Sequence, residues 1–73
     1  VLQAMSLVGA LKPQISVRAV VAACENLTDA RSMRQGMVIK TMSGLTVEVG
    51  HTDAEGRLTL ADALTYVQKK LGA

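Results

Sequence analysis

The sequence predicts an α/β fold, a fragment of a mixed sheet flanked by helices, and three observations carry that expectation. An apolar, helix-like stretch runs up to a proline; a β-branched and almost unbroken apolar run follows it; and a segment that alternates apolar and polar residues after a Ser-Gly pair leads into a final amphipathic stretch. The order of elements read from these is helix, buried strand, β-hairpin, acidic loop and helix, with no linker, repeat or low-complexity segment between them.

Val1 to Leu11 is apolar nearly all round, which predicts a helix buried on more than one side. Lys12-Pro13 ends it, because proline disfavours the helical conformation in the residue before it and supplies no amide hydrogen. Ser16 to Cys24 reads as a strand without alternation, the pattern of a parallel strand covered on both faces, so helix and strand together make half of a βαβ crossover. Glu25 to Gly36 is polar and irregular and reads as a loop. Met37 to Met42 and Leu45 to Val49 flank Ser43-Gly44, which predicts a tight hairpin turn with Gly44 free to take a positive φ. The hairpin delivers the chain into Gly50 and the acidic segment. In the final helix Thr59 is expected to cap the free amides, with Asp62 reaching back as in a capping box. Asp62 thus has a structural rather than a catalytic explanation. Leu60, Leu64, Val67 and Leu71 form an apolar stripe, Lys69 and Lys70 complement the helix dipole, and Gly72 is the expected stop.

Composition bounds the class. At 73 residues a single core is marginal without a disulfide, metal or partner, and one cysteine allows no internal disulfide. There is one tyrosine and no Trp or Phe to anchor a miniature core, so the chain reads as a piece of a larger domain. Eight basic residues against six acidic ones are scattered rather than striped, and aromatic stacking partners are lacking, which argues against nucleic-acid binding. No apolar run approaches the ~20 residues that span a bilayer, and the first residues do not read as a signal peptide, so no membrane partner is expected. Cys24, in an apolar run, fits a reduced thiol buried in a core and a cytoplasmic location.

The segment His51-Thr52-Asp53-Ala54-Glu55-Gly56-Arg57-Leu58 is the most informative part. In an extended chain residues two apart point the same way, so Asp53, Glu55 and Arg57 would project into one small volume. Two anions and a cation there suit a hard divalent metal and an oxyanion developing beside it. A polar turn that caps the following helix accounts for the same residues.

These eight residues resemble the Asn-Thr-Asp-Ala-Glu-Gly-Arg-Leu signature of the leucyl aminopeptidase family, the two-metal cytosol aminopeptidases, at every position but the first. The resemblance extends to Cys24-Glu25-Asn26, to the hairpin turn Thr41-Met42-Ser43-Gly44, and to Leu60-Ala61-Asp62-Ala63-Leu64-Thr65-Tyr66 in the following helix. It implies that residues 1–73 are part of a catalytic domain whose loop binds two divalent ions, zinc or manganese. Glu55 would bridge them and Asp53 would ligate the more exchangeable one. Arg57 would be the catalytic arginine, holding a bicarbonate-like anion or the negative charge that builds on the peptide carbonyl. Gly56 would let the backbone turn sharply between ligand and arginine. The implied partners are peptide substrates, the remainder of the catalytic domain and, as a homohexamer, further copies of the subunit.

The family's remaining ligands, a lysine and two aspartates, and its catalytic lysine have no counterpart in these residues; Lys12 and Lys40 read as surface lysines. Two carboxylates hold a metal pair weakly, so this stretch alone is expected to be inactive. Two departures stand inside the matched region. His51 replaces the leading asparagine and is read as taking its hydrogen-bonding place rather than as a ligand, and Arg34-Gln35-Gly36-Met37 replaces Arg-Pro-Gly-Asp. The alternative is a non-catalytic, aminopeptidase-like structural or interaction protein. A free-standing binding module ranks last, because it would leave the run from Val17 to Cys24 exposed on at least one edge.

Overall fold

The computed structural model describes residues 1–73 as α1 (Leu2–Leu11), β1 (Val38–Lys40), β2 (Thr46–Glu48) and α2 (Glu55–Leu71), with a 3-10 turn at Thr52–Ala54 leading directly into α2. It is a small α/β arrangement of two helices and one two-stranded antiparallel sheet.

The hairpin is held together by a continuous set of backbone hydrogen bonds. Val38, Ile39 and Lys40 face Glu48, Val47 and Thr46 in register. The pairing runs on past the strand ends, because Val49 N–H donates to Met37 O at 2.8 Å and Gly36 N–H donates to Val49 O at 2.8 Å. Period-two alternation puts Ile39 and Val47 on the half-buried face, while Val38, Lys40, Thr46 and Glu48 are exposed. At the tip Thr41 N–H donates to Leu45 O and Gly44 N–H donates to Thr41 O, both at 2.9 Å. The connection is therefore the three residues Met42 to Gly44 rather than the Ser-Gly pair alone, and Gly44 sits at φ 95°, the left-handed residue such a loop needs.

α1 ends where expected. Lys12 takes φ 48°, its amide donating back to Val8 O, and Pro13 follows. The expectation that this helix is buried on more than one side is not met: Leu2, Leu7 and Leu11 are exposed, and α1 packs on no other element. The run from Ser16 to Cys24 likewise forms no strand and carries no ladder bonds. The reason is shared. A parallel strand and its crossover helix cover each other only through neighbouring strands, and the only two strands here are already paired with one another. The run lies instead beside α2, where Val20 and Cys24 share an open groove with Met42, Thr59, Ala63 and Tyr66. Cys24 is exposed, not buried as the sequence suggested.

α2 begins four residues earlier than Thr59. The Thr59 hydroxyl donates backward to Gly56 O at 3.0 Å, and Asp62 is a mid-helix residue whose Oδ1 accepts from Met42 N–H at 2.9 Å in the hairpin turn. Ala54-Glu55 and Arg57-Leu58 are helix formers, so the helix propagates back to the turn that His51 opens. At its other end Gly72 takes φ 69° with its amide on Val67 O, Lys69 and Lys70 occupy the last turn, and the Arg18 guanidinium donates to Leu71 O. Within the expected stripe Leu60 and Leu64 are more than half exposed, whereas Val67 and Leu71 are partly covered.

Only Val49 is buried, at 2% exposure, and the radius of gyration is 15.4 Å against the ~11 Å of a compact domain of this length. Residues 1–73 thus shape a hairpin and a helix around one junction without enclosing a core.

The polar connection from Glu25 to Gly36 contains a turn at its end, closed by Met37 N–H donating to Arg34 O at 3.1 Å, and an earlier one built on the Asp29 side chain. Asp29 Oδ1 accepts from Arg31 N–H at 2.8 Å and from Arg31 Nε at 3.2 Å. These bonds, the backbone one first, hold the Asp29 carboxyl below its ordinary value of 3.8. A depressed carboxyl favours the ordered turn above the unfolded value and loses that contribution as pH falls through the folded one. The protection of the Arg31 amide, its exchange measured against an unstructured chain at the same pH, is therefore expected to persist at pH 5 and above and to be lost only below the ordinary value of 3.8. In the hairpin, Gly44→Ala is expected to destabilise the complete protein by about 1 kcal/mol through left-handed strain alone, since a Cβ there meets no atom within 4 Å. An unchanged denaturation midpoint would contradict that turn geometry.

Candidate functional site

The site candidates lie where β2 turns into α2. Val49 is pinned on both sides by the base of the hairpin, so the chain leaves the sheet at a fixed point and reaches His51 through Gly50. His51 is extended at φ −149° and ψ 113°, and its Nδ1 accepts the Asp53 amide at 3.1 Å while its carbonyl accepts the Ala54 amide at 3.1 Å. These bonds satisfy amides that open a helical turn, the task usually given to Asn, Asp, Ser or Thr. The histidine must carry its proton on Nε2 to act this way. The ring nitrogen nearer the backbone is thereby committed to the turn, in line with the hydrogen-bonding role expected for His51.

The backbone of the acidic segment is not extended. Asp53 sits in the 3-10 turn, and Glu55 and Arg57 are the first and third residues of α2. On a helix, residues two apart point roughly 200° away from each other, so alternation does not bring Glu55 and Arg57 onto one face as it would in a strand. Gly56 is correspondingly not a sharp turn: its φ is not positive, and a Cβ there meets nothing within 4 Å. Nothing within the chain explains a glycine at this position.

What the structure shows is narrower. Asp53 and Glu55 stand at the start of α2, where unpaired amides and the helix dipole favour negative charge. Asp53 and Arg57 are exposed and Glu55 is half-buried. Neither carboxylate accepts a hydrogen bond or pairs with a cation, and the Arg57 guanidinium has no partner. Two carboxylates offer the oxygen donors a hard divalent ion takes, and they fit as part of a ligand set. No third His, Cys, Asp or Glu joins them, so the set is not completed within residues 1–73.

Sequence reasoning missed two long-range contacts made by α2. The bond from Met42 N–H to Asp62 joins residues 20 apart, and the one from Arg18 to Leu71 joins residues 53 apart. Neither leaves a periodic signal, and the Thr59–Asp62 spacing pointed to a local cap instead.

No helix is long and apolar enough to cross a membrane. A sequence model described as the cytosol aminopeptidase family, catalytic domain, matches residues 1–73. Among curated relatives, a protein of Treponema denticola is 51% identical over 73 residues, covering 100% of this chain and 15% of its own length. One of Persephonella marina is 53% identical over 62 residues, covering 85% of this chain and 12% of its own. One of Pseudoalteromonas atlantica is 55% identical over 69 residues, covering 94% and 14%. Each carries the name "Probable cytosol aminopeptidase". No solved structure matches the chain. The chain spans 12% to 15% of the length of these relatives. With the whole of it matched and about half its residues identical to theirs, the chain belongs to the cytosol aminopeptidase family.

Proposed function

We propose that the complete protein is a metal-dependent aminopeptidase that hydrolyses N-terminal residues, leucine among them, from peptides. Asp53 and Glu55 would hold two divalent ions, zinc or manganese, together with ligands outside these residues. The observation that carries this reading is the set of uncommitted side chains: Asp53, Glu55 and Arg57 have no structural partner, while the backbone beneath them is tied down by His51 and by the hairpin base. A scaffold has no physical need for two unpaired acids and an unpaired guanidinium at a braced junction. That favours the enzyme over a non-catalytic aminopeptidase-like protein.

The chemistry such a metal pair supplies when bound is acidification of a water, polarisation of the scissile carbonyl and a hold on the substrate's free amine. The chain's own residues do the positioning. The His51 bond to the Asp53 amide fixes the backbone from which the Asp53 carboxylate reaches out. Glu55, rooted in the first helical turn and half-buried, has a restricted set of directions and suits a bridging role. Arg57 would bring its guanidinium donors to the place where negative charge develops on the carbonyl oxygen or on a bound bicarbonate. A cytoplasmic homohexamer in which the rest of the catalytic domain covers the open faces of α1 and α2 completes this reading.

In the complete protein Glu55→Ala is expected to lower metal content and leucyl-anilide turnover together, measured by elemental analysis and a steady-state assay on one preparation. Normal turnover in that variant would sink the assignment. Arg57→Ala is expected to keep its metal and to lose roughly 100-fold or more in kcat, the scale seen when one donor to a developing anion is removed.

A further inference from the structure

The geometry points to Asp62 as a positioning residue for the metal ligands: its bond to the Met42 amide clamps the hairpin tip to α2 and so fixes the direction of Glu55. This rests on the metal-binding role proposed above for Asp53 and Glu55.

The argument begins with the helix itself. Asp62 lies seven positions after Glu55, and seven steps of about 100° bring the two side chains within about 20° of one another. They share a face, roughly 10 Å apart along the axis. Thr59 lies between them on that face, and Tyr66 continues it one turn beyond Asp62. A roll of the helix about its axis would swing every side chain in the first turn, and the other holds on α2 are the run containing Val20 and Cys24 and the Arg18 contact at its far end. α2 has no strand of the hairpin packed against it. A bond at Asp62 resists that roll on the side where Glu55 sits.

The other half of the clamp is equally placed. Met42 is in the turn joining β1 to β2, and its amide donates to Asp62 Oδ1 at 2.9 Å. It is the one side-chain hydrogen bond between the hairpin and α2. The closed loop from Met42 to Asp62 contains β2, Val49, the His51 turn, Asp53, Glu55 and Arg57. Val49 holds the entry to the junction and the Asp62 bond holds its exit, so the angle between hairpin and helix is set at both ends. The acceptor is a carboxylate, so the bond is charge-assisted and stronger than the same contact to a neutral amide oxygen.

Two variants of the complete protein remove the bond from opposite sides. Asp62→Ala deletes the acceptor. Met42→Pro deletes the donor at the second position of a turn, where proline is compatible, and leaves Asp62 in place. Asp62→Asn retains an acceptor oxygen of the same reach. The readouts are manganese affinity by titration into metal-stripped protein, exchange of the Met42 amide, and turnover. The expected result is that Asp62→Ala and Met42→Pro each weaken manganese binding about tenfold, the lower end of the effect when an outer partner of a ligand is removed. Met42 amide exchange should quicken in Asp62→Ala, and Asp62→Asn, which keeps a weaker neutral acceptor, should lie between the parent and Asp62→Ala in both properties. Faster Met42 exchange with unchanged manganese affinity in Asp62→Ala overturns the inference, as does an Asp62→Asn variant that falls as far as Asp62→Ala. A Glu55→Ala control separates the two levels. If it binds manganese as the parent does, the metal-site reading fails and the inference with it. If it loses manganese while Asp62→Ala and Met42→Pro do not, the clamp alone is rejected.

Discussion

The two backbone bonds of Val49, one accepted from Gly36 and one donated to Met37, set where the chain leaves the hairpin, and the geometry downstream is referred to that point. Val49 is also the one side chain withdrawn from solvent. Burial and pairing reinforce each other there, because shielded backbone bonds do not compete with water. Gly50 and His51 follow at once, so little slack separates the anchored residue from the turn that presents Asp53 and Glu55. His51 then converts an extended entry into a helical one by accepting an amide that would otherwise open the helix unpaired.

How much of this was legible in the sequence depends on the range of the interaction. Pro13 marked the end of α1, Gly44 the positive φ of the hairpin loop, Gly72 the stop of α2, and the alternation of Leu45 to Val49 the half-buried strand, all through forces acting within a few residues. The α/β class followed from the same local signals. The start of α2 was misread because Thr59 and Asp62 have the spacing of a cap, while the true opening uses a histidine, an uncommon residue in that role. Alternate spacing likewise suggested one face for Asp53, Glu55 and Arg57, a statement about strands that a helical turn voids.

Ser16 to Cys24 shows a different kind of limit. Its β-branched, unalternating pattern describes an environment, a position between other strands, and no such strands are at hand among residues 1–73. The exposed leucines of α1 and the bare half of the Leu60–Leu64 stripe describe the same thing from the helical side. Pattern specifies which surfaces are to be covered, and the family match accounts for it, since the chain spans only 12% to 15% of its relatives' length.

The contact between Arg18 and Leu71 has a consequence for the order in which the chain assembles. It closes a loop of 53 residues, whereas the hairpin pairs residues no more than 13 apart from Gly36 to Val49. Short loops form in microseconds and long ones wait on a larger entropic cost. The hairpin and its exit turn are thus the early structure, and the far end of α2 is latched afterwards by a residue that precedes the hairpin in the chain. A nascent chain would carry the acidic turn in near-final shape before Arg18 had latched the far end of α2.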